Sequence, residues 1–403
     1  MTGRPSPHEA PRRVTILGAT GSIGASTLDV LRATRRPFAV EAVTGHSNIP
    51  ALAAAARAFG ARLAVTADPS RYADLREALG GTGVEAAAGP EAVIEAAARP
   101  ADWCMAAIVG SAGLAPALAA ARQGTTLALA NKECLVAAGD LFLGECAASG
   151  VTLLPVDSEH NAIFQVLDRA NRPALDRILL TASGGPFRTW GLDRMRAATP
   201  EQAVAHPNWD MGAKISIDSA TMFNKALEMI EARHLFDVRP DQIEVVVHPQ
   251  SIVHSMVGYA DGSVLAQMGA PDMRHAIGFS WHWPERAALP VDRLDFARLS
   301  RIEFEAPDET RFPALRLARE AMEAGGLAGA AFNAAKEAAL EAFMARRIGF
   351  LQMAEVVETA LDRLAPFARA ASLDDVFAMD GEARRTAEAV MGVNRLGAGA
   401  VPA

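Results

Sequence analysis

Cysteine is scarce in this chain: there are three in 403 residues, an odd number, each in an apolar segment and none in a Cys-x-x-Cys pair. That excludes a disulfide scaffold and a zinc ribbon, and it suits a reducing cytoplasm. No apolar run reaches the ~20 residues needed to span a bilayer, so no membrane segment is expected. Positive charge is also short, with 39 Lys and Arg against 47 Asp and Glu and a formal charge of −8. Without a basic stripe the chain is not read as a nucleic-acid binder, and any anion must be met by a few local groups. The first ten residues hold two prolines and no hydrophobic segment, which predicts a disordered extension over 1–11 and no signal peptide. No internal repeat is present.

What is there is ample apolar residue, half of the composition, in a chain long enough for two or three domains. Apolar β-type runs alternate with Ala-rich helical stretches up to Val156: Val14–Leu17, Phe38–Val43, 62–65, Val84–Ala88, 103–109, Thr126–Leu129 and Val151–Val156. Such alternation predicts an α/β fold, a Rossmann-like doubly wound parallel sheet. The runs 177–181, 242–247, 251–257 and 263–267 predict a mixed or antiparallel sheet in an α+β catalytic domain. Helical periodicity over 313–324, 327–346, 351–364 and 373–391 predicts a C-terminal helical bundle. The expected layout is a nucleotide-binding domain over 12–157 and a catalytic domain over 158–283 with a lid at about 183–214. A linker over 284–312 and a helical domain over 313–403 complete it.

Two carboxylates end the seventh run, in Val156-Asp157-Ser158-Glu159-His160. Carboxylates at a strand's carboxyl end suit a hard divalent cation, Mg²⁺ or Mn²⁺, and Glu228 is the candidate third ligand. A solvated Asp-x-Glu loop is the plainer alternative. Gly18-Ala19-Thr20-Gly21-Ser22-Ile23-Gly24 follows the first strand and opens a helix, an order that suits a dinucleotide pyrophosphate. The second strand ends in Thr44-Gly45-His46-Ser47-Asn48 with no acidic residue for a ribose 2′-hydroxyl, which favours NADPH, with His46, Ser47 and Asn48 able to donate to a 2′-phosphate and Gly45 in the same cofactor loop. Alternatively these residues only turn the chain and cap the next helix. Asn131-Lys132-Glu133 follows the strand 126–129 on the same sheet edge, as a polar cluster or a capped helix start.

A single helix is predicted over 219–235, with Ser219 as its cap. Met222, Phe223, Leu227 and Ile230 form its buried stripe, and Asn224, Lys225 and Glu228 another face. That face suits a phosphate and a metal; a solvated Lys225–Glu228 pair is the alternative. Ser183-Gly184-Gly185 offers a hydroxyl and amides to an anion. Trp209, in His206-Pro207-Asn208-Trp209-Asp210-Met211-Gly212, suits a mobile lid or a tryptophan that packs down.

These motifs, together with Ser183-Gly184-Gly185-Pro186-Phe187 and His248-Pro249-Gln250-Ser251, resemble in order and spacing the 1-deoxy-D-xylulose 5-phosphate reductoisomerase family over nearly the whole chain. The resemblance implies an NADPH- and Mg²⁺- or Mn²⁺-dependent homodimeric enzyme of the non-mevalonate isoprenoid pathway. It implies Asp157, Glu159 and Glu228 as metal ligands, and Ser158 and Lys132 on the sugar backbone. Ser183, Ser219, Asn224 and Lys225 are implied on the phosphate, His206 near it, and Trp209 over the nicotinamide and substrate. Thr20, Gly21, Ser22, Ile23, Asn131, Glu133 and Gly212 are implied NADPH contacts. The catalytic set is then Lys132, Asp157, Glu159 and Glu228. Two positions depart from the family: only His46 offers a basic group in the 2′-phosphate loop, and Lys336 stands where asparagine is common. Lys336 is expected in the bundle, touching no site residue. Rival readings are a plain NADP-dependent dehydrogenase that tolerates chelation, and a non-catalytic sensor of the NADP(H) ratio.

Overall fold

A computed structural model of the chain describes residues 11–209 and 211–398. Most of the expected N-terminal extension, Asp210 of the expected lid, and residues 399–403 lie outside them. The chain divides into two compact units: 1–134, 142–161 and 272–293 form the first, and 135–141, 162–271 and 294–403 the second.

The first unit is built on seven strands, β1 Arg12–Leu17, β2 Phe38–Gly45, β3 Leu63–Thr66, β4 Glu85–Ala88, β5 Trp103–Ala106, β6 Thr126–Leu129 and β7 Thr152–Pro155. All pair parallel, in the order β4-β3-β2-β1-β5-β6-β7. The helices between them are α1 Ser22–Ala33, α2 Ile49–Ala58, α3 Tyr72–Ala78, α4 Pro90–Ala98 and α5 Leu114–Ala121, followed by α6 Glu133–Ser149 and α7 Ser158–Val166. Near-continuous apolar strands are what a sheet covered on both faces requires, and β3 and β5 are buried throughout. The expected doubly wound sheet is present. Its fifth strand is shorter than the apolar run suggested, because the chain turns after Ala106 toward Gly110, which has φ +78°.

Trp103 and Trp281, both 0% exposed, meet edge to face with ring centroids 5.3 Å apart. Phe38 adds a third ring at 6.1 Å from Trp281. Both indole N–H groups are satisfied, Trp103 donating to the Ser280 carbonyl at 3.2 Å and Trp281 to Thr34 Oγ1 at 3.1 Å.

The second unit has a four-stranded sheet in the order β11-β10-β8-β9, made of β8 Leu175–Ala182, β9 Ile243–Val247, β10 Val253–Tyr259 and β11 Val264–Met268. It is mixed: β10 runs antiparallel to β8 and β11, while β8 and β9 are parallel. Its helices begin with α8 Leu192–Arg196, α9 Pro200–Val204, α10 Ala213–Ala220 and α11 Phe223–Phe236. After α12 Arg274–His282, which belongs to the first unit, come α13 Phe296–Leu299, α14 Ala314–Ala324, α15 Ala328–Met344, α16 Gln352–Leu364 and α17 Leu373–Ala398. One core joins sheet and bundle, running from Ile178 and Leu180 through Phe223 and Ile230 to Phe332, Phe343 and Val357. Alanine-rich α15 lies at its centre, buried on nearly every face.

The single helix expected over 219–235 is two. Thr221 Oγ1 donates to the Ile217 and Asp218 carbonyls at 2.9 and 3.1 Å, closing α10, and Met222 turns left-handed at φ +64° before α11 starts. Ser219 therefore sits in the last turn of α10 and does not cap α11, whose N-cap position is Met222.

Candidate active site

In the first unit the strand order reverses between β1 and β5, so the loops leaving their carboxyl ends part and open a crevice. Gly18 and Gly24 shape its floor. A Cβ on Gly18, whose φ is +86°, would lie 2.6 Å from the Ala107 carbonyl oxygen, and one on Gly24 would lie 2.3 Å from the Gly18 oxygen. Larger residues fit neither place. The turn delivers α1 with no side-chain cap, and the amides of its first turn, on Ser22, Ile23 and Gly24, have no acceptor within the helix. Those amides and the helix dipole make an anion cradle. Thr20 packs its side chain over Gly45, where an added Cβ would stand 3.1 Å away. His46, Ser47 and Asn48 follow, all exposed. Asn48 caps α2, its Oδ1 accepting the Ala51 N–H at 3.2 Å.

Asn131 is committed to its own unit. Its amide donates to the carbonyls of Ile108 and Gly110, and its Oδ1 accepts the Cys134 N–H at 3.0 Å. It ties the end of β6 to the loop leaving β5 and shapes that wall of the crevice; Glu133 beside it is buried and begins α6.

β6 and β7 are neighbours in parallel, so the residues just past their carboxyl ends meet. Lys132 Nζ lies 2.6 Å from Asp157 Oδ2. Asp157 Oδ1 accepts the Glu159 N–H at 3.3 Å and lies 3.7 Å from Nδ1 of the fully buried His160. Burial raises the pKa of Asp157, but the Lys132 ammonium and the His160 contact outweigh it and hold the carboxyl well below its ordinary value. Ser158 Oγ donates to Glu159 Oε2 at 2.5 Å. The cluster is thus two ionisable carboxylates, a hydroxyl and an ammonium at one sheet edge, an oxygen donor set suited to a hard cation.

In the second unit, Ser183 leaves the end of β8. His206 Nδ1 accepts the N–H groups of Asn208 and Trp209 at 3.1 and 3.0 Å, so the ring proton sits on Nε2, which donates to Ser183 Oγ at 2.8 Å. Burial lowers the His206 pKa and favours this neutral form. Gly185 N–H also donates to Ser183 Oγ, at 3.1 Å, which leaves the hydroxyl proton for another acceptor. Gly185, at φ +63°, presses on Ser219, whose carbonyl oxygen would be 2.8 Å from an added Cβ. The Ser183–Gly185 turn and the last turn of α10 are therefore adjacent.

Asn224 and Lys225 occupy the first turn of α11. Both bond Glu228, Asn224 Nδ2 to Oε1 and Lys225 Nζ to Oε2. Glu228 is 1% exposed and Lys225 is buried with it, so this face of α11 is not solvated, as the plainer sequence alternative would require. Burying an acid with its base is costly unless other groups share the work. Trp209 is half-buried, with its ring 6.2 Å from that of His254. Asn208 fastens the segment, donating to the Pro249 carbonyl at 2.5 Å and Ser251 Oγ at 3.0 Å. Gly212 is the exposed N-cap residue of α10.

Three family models match the chain: 1-deoxy-D-xylulose 5-phosphate reductoisomerase over residues 14–139, its C-terminal domain over 153–236, and the DXP reductoisomerase C-terminal domain over 268–386. The 1-deoxy-D-xylulose 5-phosphate reductoisomerase of Sinorhizobium fredii is 65% identical over 384 residues, covering 95% of this chain and 98% of that protein. That of Sinorhizobium medicae is 66% identical over the same shares. This chain belongs to the 1-deoxy-D-xylulose 5-phosphate reductoisomerase family. Solved reductoisomerases agree in fold. The Zymomonas mobilis enzyme in complex with NADPH is 56% identical with a TM-score of 0.90, covering 95% of this chain and 99% of that one. A DOX-P reductoisomerase in complex with NADPH, fosmidomycin and magnesium is 42% identical with a TM-score of 0.92, over the same shares.

Lys132, Asp157, Ser158 and Glu159 come together in one unit, and Ser183 with His206, and Asn224 with Lys225 and Glu228, in the other. Sequence reasoning did not assign Asn208 or Ser251, which fix the His206–Trp209 segment, nor His160 beside Asp157. The first two do carry a signal: each lies in a polar motif interrupted by proline, where a side-chain amide or hydroxyl has backbone to hold.

Proposed function

We propose that the chain converts 1-deoxy-D-xylulose 5-phosphate to 2-C-methyl-D-erythritol 4-phosphate by isomerisation and reduction, with NADPH and Mg²⁺ or Mn²⁺. We propose further that it works as a homodimer in the cytoplasm; its three cysteines are buried and form no disulfide, and no described helix is long and apolar enough to cross a membrane. The observation that carries the reading is the Lys132–Asp157–Ser158–Glu159 cluster at the ends of two adjacent strands of a nucleotide-type sheet, in a chain of this family.

Asp157, Glu159 and Glu228 are the proposed metal ligands. The donor set fits: all are carboxylates, Asp157 is held as the anion, and ammonium groups now balance Asp157 and Glu228. When bound, the ion supplies Lewis-acid stabilisation of charge on substrate oxygens, and the nicotinamide supplies hydride. The chain's own groups do the rest. Lys132 and Ser158 hold the sugar backbone beside the carboxylates. Ser183, with its hydroxyl proton left over by His206 and Gly185, donates to the phosphate; Ser219, Asn224 and Lys225 add donors and charge there. Because the phosphate is remote from the changing bonds, its binding energy positions the reacting carbons. Trp209 covers the nicotinamide and excludes water. Thr20, Gly21, Ser22 and Ile23 with the α1 amides would hold NADPH, together with Gly45, His46 and Asn48 for its 2′-phosphate and with Asn131, Glu133 and Gly212.

The test is direct. The full-length protein with Mn²⁺, NADPH and 1-deoxy-D-xylulose 5-phosphate is expected to consume NADPH, and a chelator is expected to stop it. Turnover that survives chelation favours the plain dehydrogenase, and no turnover at all defeats the reading.

A further inference from the structure

A lysine inside an alanine-rich helix that is buried on nearly every face needs a reason. Lys336 is 3% exposed on α15, and its Nζ lies 3.0 Å from Oδ2 of Asp218, itself 7% exposed on α10. The residues are 118 positions apart in the chain. Taking two charges out of water is costly, so a buried pair is poor evidence of a stability role and is better read as holding one arrangement. The next residue, Glu337, is bonded by Asn333 and Arg384 and so is balanced separately.

What the pair holds is the turn carrying the anion-binding groups. Asp218 precedes Ser219, and successive residues of a helix point about 100° apart, so anchoring Asp218 on α15 sets the direction of Ser219. Ser219 in turn is pressed by Gly185, and its carbonyl accepts the Met222 N–H at 3.2 Å. Met222 is left-handed, and Asn224 and Lys225 follow at once. The turn is short and strained, and α10 lies directly after the His206–Trp209 segment. Rotation or sliding of α10 would carry Ser219 away from Ser183, Asn224 and Lys225.

We propose that Lys336 is a positioning residue for phosphate binding: through Asp218 it fixes the α10–α11 turn so that Ser219, Asn224 and Lys225 converge on one anion. This rests on the phosphate reading of those groups given above. It also gives a role to a lysine that the sequence placed away from the site.

The full-length Lys336→Met variant is expected to raise KM for 1-deoxy-D-xylulose 5-phosphate about tenfold or more, with kcat within about threefold and KM for NADPH unchanged. Lys336→Arg is expected to recover most of the loss. The Lys336→Met/Asp218→Asn pair is expected to raise KM about as much as Lys336→Met alone, because the two residues act as a unit; recovery in the pair would mark an unpaired buried charge and not a positioning role. A second measurement avoids turnover: inorganic phosphate should raise the unfolding temperature of the parent protein, and this protection should vanish in Lys336→Met. Parent-like KM and phosphate protection in the variant overturn the proposal, as does a parallel loss of kcat, KM for NADPH and protection, which marks general damage. No phosphate protection of the parent overturns it as well. If Lys336→Met does not fold, Asp218→Asn is judged by the same criteria. A parent without turnover on this substrate defeats the functional reading, while the phosphate comparison still decides the role of the pair.

Discussion

Glu228 shows what a single carboxylate does in two settings. Here its oxygens are held by Asn224 and Lys225 in a buried cluster; as a metal ligand it would exchange one such partner for the cation. Glu228→Gln keeps the shape and removes the charge. We expect kcat to fall about a hundredfold or more, equivalent to roughly 3 kcal/mol of lost charge stabilisation, with NADPH affinity unchanged. Steady-state kinetics and a cofactor titration read the two numbers separately; equal losses would argue against a metal role. At this scale the placement of Lys132, Asp157 and Glu159 just past two strand ends was legible, because the apolar runs before them can be read from pattern. Lys336 and Asp218 were not. Nothing near either residue in the chain signals a partner on a distant helix, and an Ala-rich segment with one lysine reads equally well as a helix with one wet face.

At the scale of elements, α12 is the informative piece. It closes the aromatic cluster of the first unit with Trp281, whose Nε1 bonds Thr34 and whose ring is also covered by the Arg12 guanidinium at 4.9 Å. Removing that ring should leave a cavity beside Trp103 and Phe38. Trp281→Ala is expected to destabilise the protein by about 3–5 kcal/mol in chemical denaturation, with the loss concentrated in the first unit. A change below about 1 kcal/mol would mean that the ring does not fill the core. Strands were legible as short apolar runs bounded by turn residues, and α14 and α16 by an apolar stripe of period 3.6. The break at Thr221–Met222 was hidden, since a left-handed position is announced by glycine or asparagine and not by methionine. α12 was hidden for a different reason: Arg274–His282 mixes histidine, arginine and tryptophan with little apolar repeat, and its helicity comes from what it packs on.

For the whole molecule, five histidines have pKa values lowered mainly by burial: His206, His234, His248, His275 and His282. The unfolded chain takes up protons at the ordinary histidine value, while the folded chain does so only at lower pH. Between those two points the unfolded state binds more protons, so stability rises with pH there. We expect stability to be level above about pH 7 and to decline as pH falls through 6.5 toward 5, measured as the denaturation midpoint across that range. A midpoint that rises on acidification would contradict the lowered pKa values of these rings. The sheet order at this scale was legible only as a class. Alternating strands and helices announce a doubly wound sheet, but the point where its order reverses depends on crossovers that leave no mark in composition.

The return of α12 to the first sheet also constrains synthesis on the ribosome. Trp281 is translated on the order of a hundred residues after β7, a delay of roughly ten seconds at ~5–20 residues per second. Throughout that interval the nascent nucleotide half carries an unfilled socket beside Trp103 and Phe38. Stalled chains ending before Arg274 should therefore be cut by protease in that half, whereas chains extended past Arg293 with enough tail to clear the exit tunnel should resist.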